Sequence, residues 1–251
     1  MIRLVTEQNR DICCWLADSN IERQEGLNGW GELPPGAGLL FVFGAPKDVA
    51  FHMSDVTYPI DIVMLDKNAN IKEVYADCQP GSDDIYPGKN IKWVLELVSG
   101  EVRRLGLREG ESLRAYEGAY EFNNTTPPEL LAIHAAYNAT LEGNEPYGAC
   151  ICHGSTPVGW GWNRVASKGD PTLHGEIVCM RDVIARGSLL ENSEMYTTHL
   201  PCMMCMGATA WAEISKVYYL KKKEYRENTV SQISESIDSP APKFRQFGSR
   251  F

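Results

Sequence analysis

The sequence predicts two domains: a small β-rich one over residues 1–118, and an α/β one over residues 119–251 built as a three-layer fold with a mixed sheet and helices on both faces. Three observations predict this. The length of 251 residues allows one large domain or two ordinary ones of about 100 to 200 residues each. Up to about residue 115 the chain reads as short apolar runs bounded by Gly and Pro, whereas beyond residue 126 helical patterns alternate with strands. Between them, YEGAYEFNNTT (116–126) is polar and turn-rich, which places the boundary near 118.

In the first half, GLLFVFG (38–44), PIDIVMLD (59–66), NIKEVYA (70–76) and WVLELVSG (93–100) read as strands. The second half opens with Thr126, Pro127 and Glu129, read as a capping box with Pro at the first helical position. Leu130, Ile133, Tyr137 and Leu141 then recur at helical spacing until Gly143 and Pro146 stop the helix. GACICHG and VGWGWNRV follow as strands joined by the turn STP. Trp160 and Trp162 lie on one side of the second strand and are expected to fill the core. Asp170 and Pro171 open a helix carrying LHGEIVCMRDVIARG, MYTTHL is a strand, Pro201 starts the helix CMMCMGATAWAE, and KVYYL from 216 is the last strand read. The order α, β, β, α, β, α, β suggests one mixed sheet with helices packed on its faces.

Composition narrows the function. Hydrophobic residues make up 43% and charged residues 23%, a globular balance. With 24 basic against 33 acidic residues the net charge is −9, and divided at 118 the halves carry −7 and −2, so neither supplies the basic footprint of a nucleic-acid binder. A small-molecule partner is expected. No window holds the roughly 18 apolar residues of a membrane helix, and the first 20 residues carry Glu, Asp and Arg where a signal peptide is apolar. A soluble cytoplasmic protein without a membrane partner follows as the expectation. The eight cysteines are too dispersed for a secreted disulfide scaffold and are expected to be thiols or metal ligands.

The chemistry concentrates in His174-Gly-Glu176 and Pro201-Cys202-Met-Met-Cys205, each placed at the start of a helix that follows extended chain. Helix N-termini favour thiolates, and Cys with His selects zinc over harder metals. Three ligands, His174, Cys202 and Cys205, leave the fourth tetrahedral position to water, whose pKa on zinc falls to about 7. Glu176 is too close to His174 to be a fourth ligand on the same turn, but it is placed to move a proton at that water. Two other readings stand beside this one. A bare CxxC can be a redox pair, although that motif needs no upstream His-x-Glu. A closed structural zinc needs a fourth ligand, for which Cys150, Cys152, His153, Cys179 and His199 are the spare residues.

Through DPTLHGE, YTTHLPCMMCMGA, PYGACICHG and NRV, residues 128 to about 220 resemble the cytidine and deoxycytidylate deaminase superfamily, within it the branch of guanine, cytosine and tRNA adenosine deaminases. The resemblance implies a cytidine deaminase-like fold and one Zn2+ per chain on His174, Cys202 and Cys205. It also implies Glu176 as catalytic acid and base, and substrate contacts from Asn163, Ala149, the main chain at Gly175, and Trp211. DPT before His174 and GATAWAE after the cysteines look most like guanine deaminases, which favours a free aminated heterocycle as substrate and ammonia as product. Cytosine, tRNA adenosine and a non-turning-over zinc-containing sensor are the alternatives, and relatives of this fold imply a homodimer. Phe244, Phe247 and Phe251 are read as core packing or as a lid. Residues 23–110 resemble the DUF192 domains through RQEGLNGW, GLLFVF and FHMSDVTYPIDIVML, with Met53, Pro59 and Asp61 at the most distinctive positions. No chemistry is assigned to that half.

Overall fold

The structure, a computed structural model, describes residues 1–123 and 125–221 in full and the backbone of 243–246. The chain forms two compact units, Met1–Gly118 and Ala119–Phe251.

In the first unit, β1 (Ile2–Val5), β2 (Asp11–Ala17), β3 (Ala37–Phe51), β4 (Ile60–Leu65), β5 (Ile71–Cys78), β6 (Tyr86–Val98) and β7 (Arg114–Ala115) form one sheet in the order β5-β4-β6-β3-β2-β1-β7. Only β2 and β3 run parallel. The four runs expected from sequence appear as β3 to β6. The strands β1 and β2 escaped that reading, because Ile12, Cys13, Cys14 and Trp15 are buried in succession and show no alternation. Helix α1 (Asn20–Glu25) starts at a true capping box, in which Ser19 Oγ accepts the Glu22 N–H at 3.2 Å and Glu22 Oε2 accepts the Ser19 N–H at 2.9 Å.

The β-rich sheet buries both faces. Leu40, Leu95 and Val63 stand in register across β3, β6 and β4 on one face, packed with Leu4, Ile12 and Leu105, the last on α2 (Glu101–Leu105). Leu39, Phe41, Ile62 and Met64 occupy the other. Asp61 is buried but fully used: its two carboxylate oxygens accept the Asp77 N–H at 2.9 Å and the Val102 N–H at 2.8 Å, tying the end of β5 to α2.

In the second unit, α3 (Pro128–Leu141) precedes β8 (Gly148–His153), β9 (Thr156–Trp162), α4 (Val165–Lys168), α5 (Gly175–Ala185), β10 (Glu194–His199), α6 (Met203–Trp211), β11 (Lys216–Lys221) and β12 (Lys243–Gln246). The sheet order is β12-β11-β10-β8-β9, antiparallel through β8 and parallel from β10 onward. The α/β unit is thus the predicted mixed sheet with helices on both faces. Ala149, Ile151, Met195 and Val217 pack on Cys179 and Val183 of α5, while Gly148 on the opposite face meets α3. Among the described residues no helix is long and apolar enough to cross a membrane.

Four local expectations change. The capping box at Thr126 does not form: Pro127 is the N-cap and Pro128 the first helical residue, because Asn123 Oδ1 accepts the Thr125 and Thr126 N–H groups at 2.9 and 3.1 Å and holds a turn there. Leu141 is 48% exposed, whereas residues 131–139 are buried without interruption, so α3 is embedded rather than amphipathic. Trp160 and Trp162 do not fill the core beneath α5. Gly159 and Gly161 take that side, where an added Cβ would lie 2.4 Å from Val183 Cγ2 and 2.3 Å from the Cys179 nitrogen. The two indoles stack under Phe122 on the other side at centroid distances of 5.2 and 5.9 Å. Finally, β12 adds a strand beyond residue 220 where none was read. The proposed aromatic lid falls on Phe244, whose side chain lies outside the described residues, as do Phe247 and Phe251.

Candidate metal centre and active site

Helix α5 begins later than its sequence suggests. Asp170 spends its carboxylate on Thr172, accepting the backbone N–H at 2.8 Å and the hydroxyl at 2.7 Å, so residues 170–173 form a turn and His174 becomes the N-cap with extended backbone (φ −66°, ψ 154°). Cys202 is the corresponding N-cap of α6 (φ −71°, ψ 169°), after Pro201 withholds an N–H at the exit of β10. Both side chains therefore project from the mouths of helices rather than from their flanks.

The consequence is convergence. Cys202 Sγ lies 3.4 Å from His174 Nδ1 and 3.6 Å from Cys205 Sγ, and Cys205 Sγ lies 3.7 Å from His174 Nδ1. A tetrahedral zinc with Zn–S of about 2.3 Å and Zn–N of about 2.0 Å would set these edges at about 3.8 Å for S–S and 3.5 Å for S–N, so the three atoms already stand at zinc spacing. Among the described residues this is the one group of three such side chains whose ligand atoms lie within 4.8 Å of one another. The spare candidates are occupied elsewhere: Cys150 and Cys152 face each other at 3.9 Å in the core, Cys179 packs under Gly161, and His153 contacts the Leu189 carbonyl at 2.9 Å.

Electrostatics at the trio favour a bound cation. The Cys202 thiol is drawn down to about 5, first by its contact with Cys205, then by backbone N–H groups of the first turn of α6 and by His174. Its neighbour Cys205, fully buried and crowded by Cys202 and Glu176, is driven in the opposite direction. Two thiols this close share one negative charge until a cation accepts both. Glu176, on the first turn of α5, puts Oε2 3.4 Å from Cys205 Sγ, and burial raises its carboxyl above the ordinary carboxylate value.

The other expected site residues are placed as follows. Gly175 opens α5 against the main chain before β8: an added Cβ would sit 2.9 Å from the Tyr147 carbonyl oxygen, so only glycine allows His174 this approach. Tyr147, which sequence reasoning passed over inside PYG, also accepts the Asn163 N–H at 2.8 Å and so joins β8, β9 and α5 at one carbonyl. Asn163 is buried, its Oδ1 accepting the Val165 N–H at 3.1 Å and its Nδ2 reaching the Glu145 carbonyl at 3.4 Å. Ala149 is buried in the core cluster under α5. The structure does not gather Trp211 with the trio: it ends α6, about 13 Å along the helix from Cys202 at 1.5 Å per residue, and is 84% exposed.

Comparison with known proteins agrees with this geometry. Residues 129–221 match the family described as the cytidine and deoxycytidylate deaminase zinc-binding region, and residues 3–115 match DUF192, described as uncharacterized. The tRNA-specific adenosine deaminase of Buchnera aphidicola subsp. Schizaphis graminum is 35% identical over 101 residues, 39% of this chain and 67% of that protein. The guanine deaminase of Bacillus subtilis is 34% identical over 109 residues, 41% of this chain and 69% of that protein. The tRNA-specific adenosine deaminase of Aquifex aeolicus is 29% identical over 117 residues, 46% and 77% of the two chains. With its His, Cys and Cys at the mouths of two helices and this extent of similarity, the chain belongs, through its second unit, to the cytidine and deoxycytidylate deaminase family.

Proposed function

We propose that the second unit is a zinc-dependent hydrolytic deaminase acting on a free aminated heterocycle of the guanine type and releasing ammonia. The observation that carries this reading is the buried Glu176 carboxyl beside three ligand atoms at zinc spacing. Zinc on His174, Cys202 and Cys205 supplies acidification of water, to a pKa of about 7. Glu176 would take one proton from the attacking water and deliver it to the ring nitrogen, then take the second proton from the hydroxyl added at carbon and hand it to the amine, so that the C–N bond breaks, the carbonyl forms and ammonia leaves. Burial, which raises its carboxyl above the ordinary carboxylate value, makes Glu176 a stronger base toward the water proton than a solvated glutamate. Asn163, with one amide hydrogen beyond its contact with Glu145, orients the ring together with the main chain at Gly175 and Cys202.

A second reading, deamination of tRNA adenosine, is favoured by the 35% identity to the Buchnera protein. The charge opposes it: residues 119–251 hold 12 basic and 14 acidic residues, without the cationic surplus that binding a phosphate backbone draws on. Ammonia release over guanine, cytosine, adenine, their nucleosides and an anticodon stem-loop tests both. Free bases are expected to exceed their nucleosides at least about tenfold in kcat/KM, a difference of about 1.4 kcal/mol. Turnover of the stem-loop or of a nucleoside, with none on any free base, overturns the assignment.

A further inference from the structure

The first unit carries a cleft of about 470 Å³ between the loop after α1 and the far end of β3, lined among others by Phe41, Phe43, Phe51 and Glu96. Glu96 is the anomaly. On β6 it pairs across the sheet with Leu39 of β3 and Ile62 of β4, so its carboxyl emerges on an apolar face, only 5% exposed. Among the described residues Glu96 Oε2 has no hydrogen-bond partner. The other buried acid of this sheet, Asp61, has both oxygens filled, which is the ordinary condition of a structural carboxylate. A buried carboxyl with an unpartnered oxygen, on the lining of a cleft, marks a place where a ligand can supply the missing donor.

The cleft specifies the sign of that donor. Three phenylalanines contribute to the wall, Phe41 and Phe51 meeting edge to face at 5.0 Å, and ring faces attract cations. The protein's own ammonium shows the effect, since Lys47 Nζ stands 4.5 Å from the centroid of Phe43. Arg23, the other cation on the lining, donates to oxygens of its own helix and of β3, including Val42 O at 2.7 Å and Asn20 Oδ1 at 2.7 Å. Glu25, Asp48 and Asp55 join Glu96 on the lining, so acids outnumber Arg and Lys there by four to two.

We propose that this cleft is a binding site for a small organic ammonium ion, with Glu96 as its counter-charge and the phenylalanine wall as its apolar seat. Burial pushes the Glu96 carboxyl up to about 8, so it carries its charge toward and above that pH, or where a bound cation stabilises the carboxylate.

The test uses the full chain and benzylammonium as probe, with benzyl alcohol as its neutral counterpart, followed by NMR chemical-shift titration at about pH 8.5, where the amine is charged and a carboxyl near 8 is largely ionised. Benzylammonium is expected to bind in the low millimolar range, with shifts centred on Phe41, Phe51 and their neighbours. Benzyl alcohol and the Glu96→Gln protein are expected to bind or be bound at least about tenfold more weakly. Glu96→Gln is nearly isosteric, and Glu96→Met provides a second folded background if the amide perturbs the strand. Equal affinity for ammonium and alcohol, unchanged affinity in Glu96→Gln, or no shifts up to about 50 mM benzylammonium overturns the proposal.

Discussion

Replacing Glu176 by Gln isolates the proton-handling step from everything else the site does. The side chain is 7% exposed and on the first turn of α5, and the amide has the same shape, so packing beside Cys205 is retained. What the amide lacks is the ability to accept a proton from water and return it. General acid and base groups contribute about 10² to 10⁴ in rate, or about 2.7 to 5.5 kcal/mol at 1.36 kcal/mol per decade. In the proposed mechanism one carboxyl serves as both base and acid, so the loss should fall in the upper half of that interval, about 10³ to 10⁴ in kcat. Stability should not fall with it, because a neutral amide escapes the burial penalty on the charged form. Ammonia release coupled to glutamate dehydrogenase measures the rate, metal analysis the zinc, and thermal melts the fold. A variant that keeps its zinc and melting point and turns over within about fivefold of the parent would remove Glu176 from the chemistry.

Three further outcomes are expected. Cys205→Ala should drop zinc from about one per chain to about a tenth of that by metal analysis, since a two-ligand remnant binds weakly; full occupancy would place the metal elsewhere. Glu96→Gln should change the pH dependence of stability. With a folded pKa near 8 against an ordinary 4.5, the wild type keeps its full stability below the unfolded value and loses it as pH rises toward 8. The variant should therefore gain on the wild type by a few kcal/mol, on the order of 1.36 per pH unit, between pH 5 and 8 in urea melts; a constant gap would show that Glu96 ionises freely in the fold. Residues 119–251 alone should melt cooperatively and bind zinc, because Ala149, Ile151, Val183, Met195 and Val217 draw their core from this unit. An insoluble fragment rescued by adding residues 1–118 would show that the boundary is misplaced.

What the sequence disclosed and what it hid follow from range. His174, Glu176, Cys202 and Cys205 were legible because ligand chemistry and helix starts are local, a few residues of fixed spacing on either side of a turn. The late start of α5 was not, because Asp170 and Pro171 look like a helix start and only the side-chain bonds to Thr172 show a turn. Trp211 is a different case: it was drawn in by resemblance alone, although the helix read from Pro201 already carried it away from Cys202, and in the structure it ends α6 in solvent. The orientation of β9 was hidden because glycine carries no hydrophobic signal, so the indoles drew attention while the glycines faced α5. Glu96 stood in plain view inside WVLELVSG, a single acid in an apolar run. That a cavity faces it is a tertiary fact assembled from α1, β3 and β6.

The glycines that seat the helices have a bearing on how this protein should be surveyed by mutation. An added Cβ would lie 2.2 Å from the Ala132 carbonyl oxygen at Gly148, 2.3 Å from the Cys179 nitrogen at Gly161, and 2.9 Å from the Tyr147 carbonyl oxygen at Gly175. The neighbours in each case are backbone atoms, which cannot rotate aside. In a saturation scan scored by activity, these positions would be as intolerant as the metal ligands, and a ranking by sensitivity alone would interleave scaffold with chemistry. Scoring abundance in parallel separates them: the glycine variants should vanish from the soluble pool, whereas Glu176→Gln should persist there in full amount while silent.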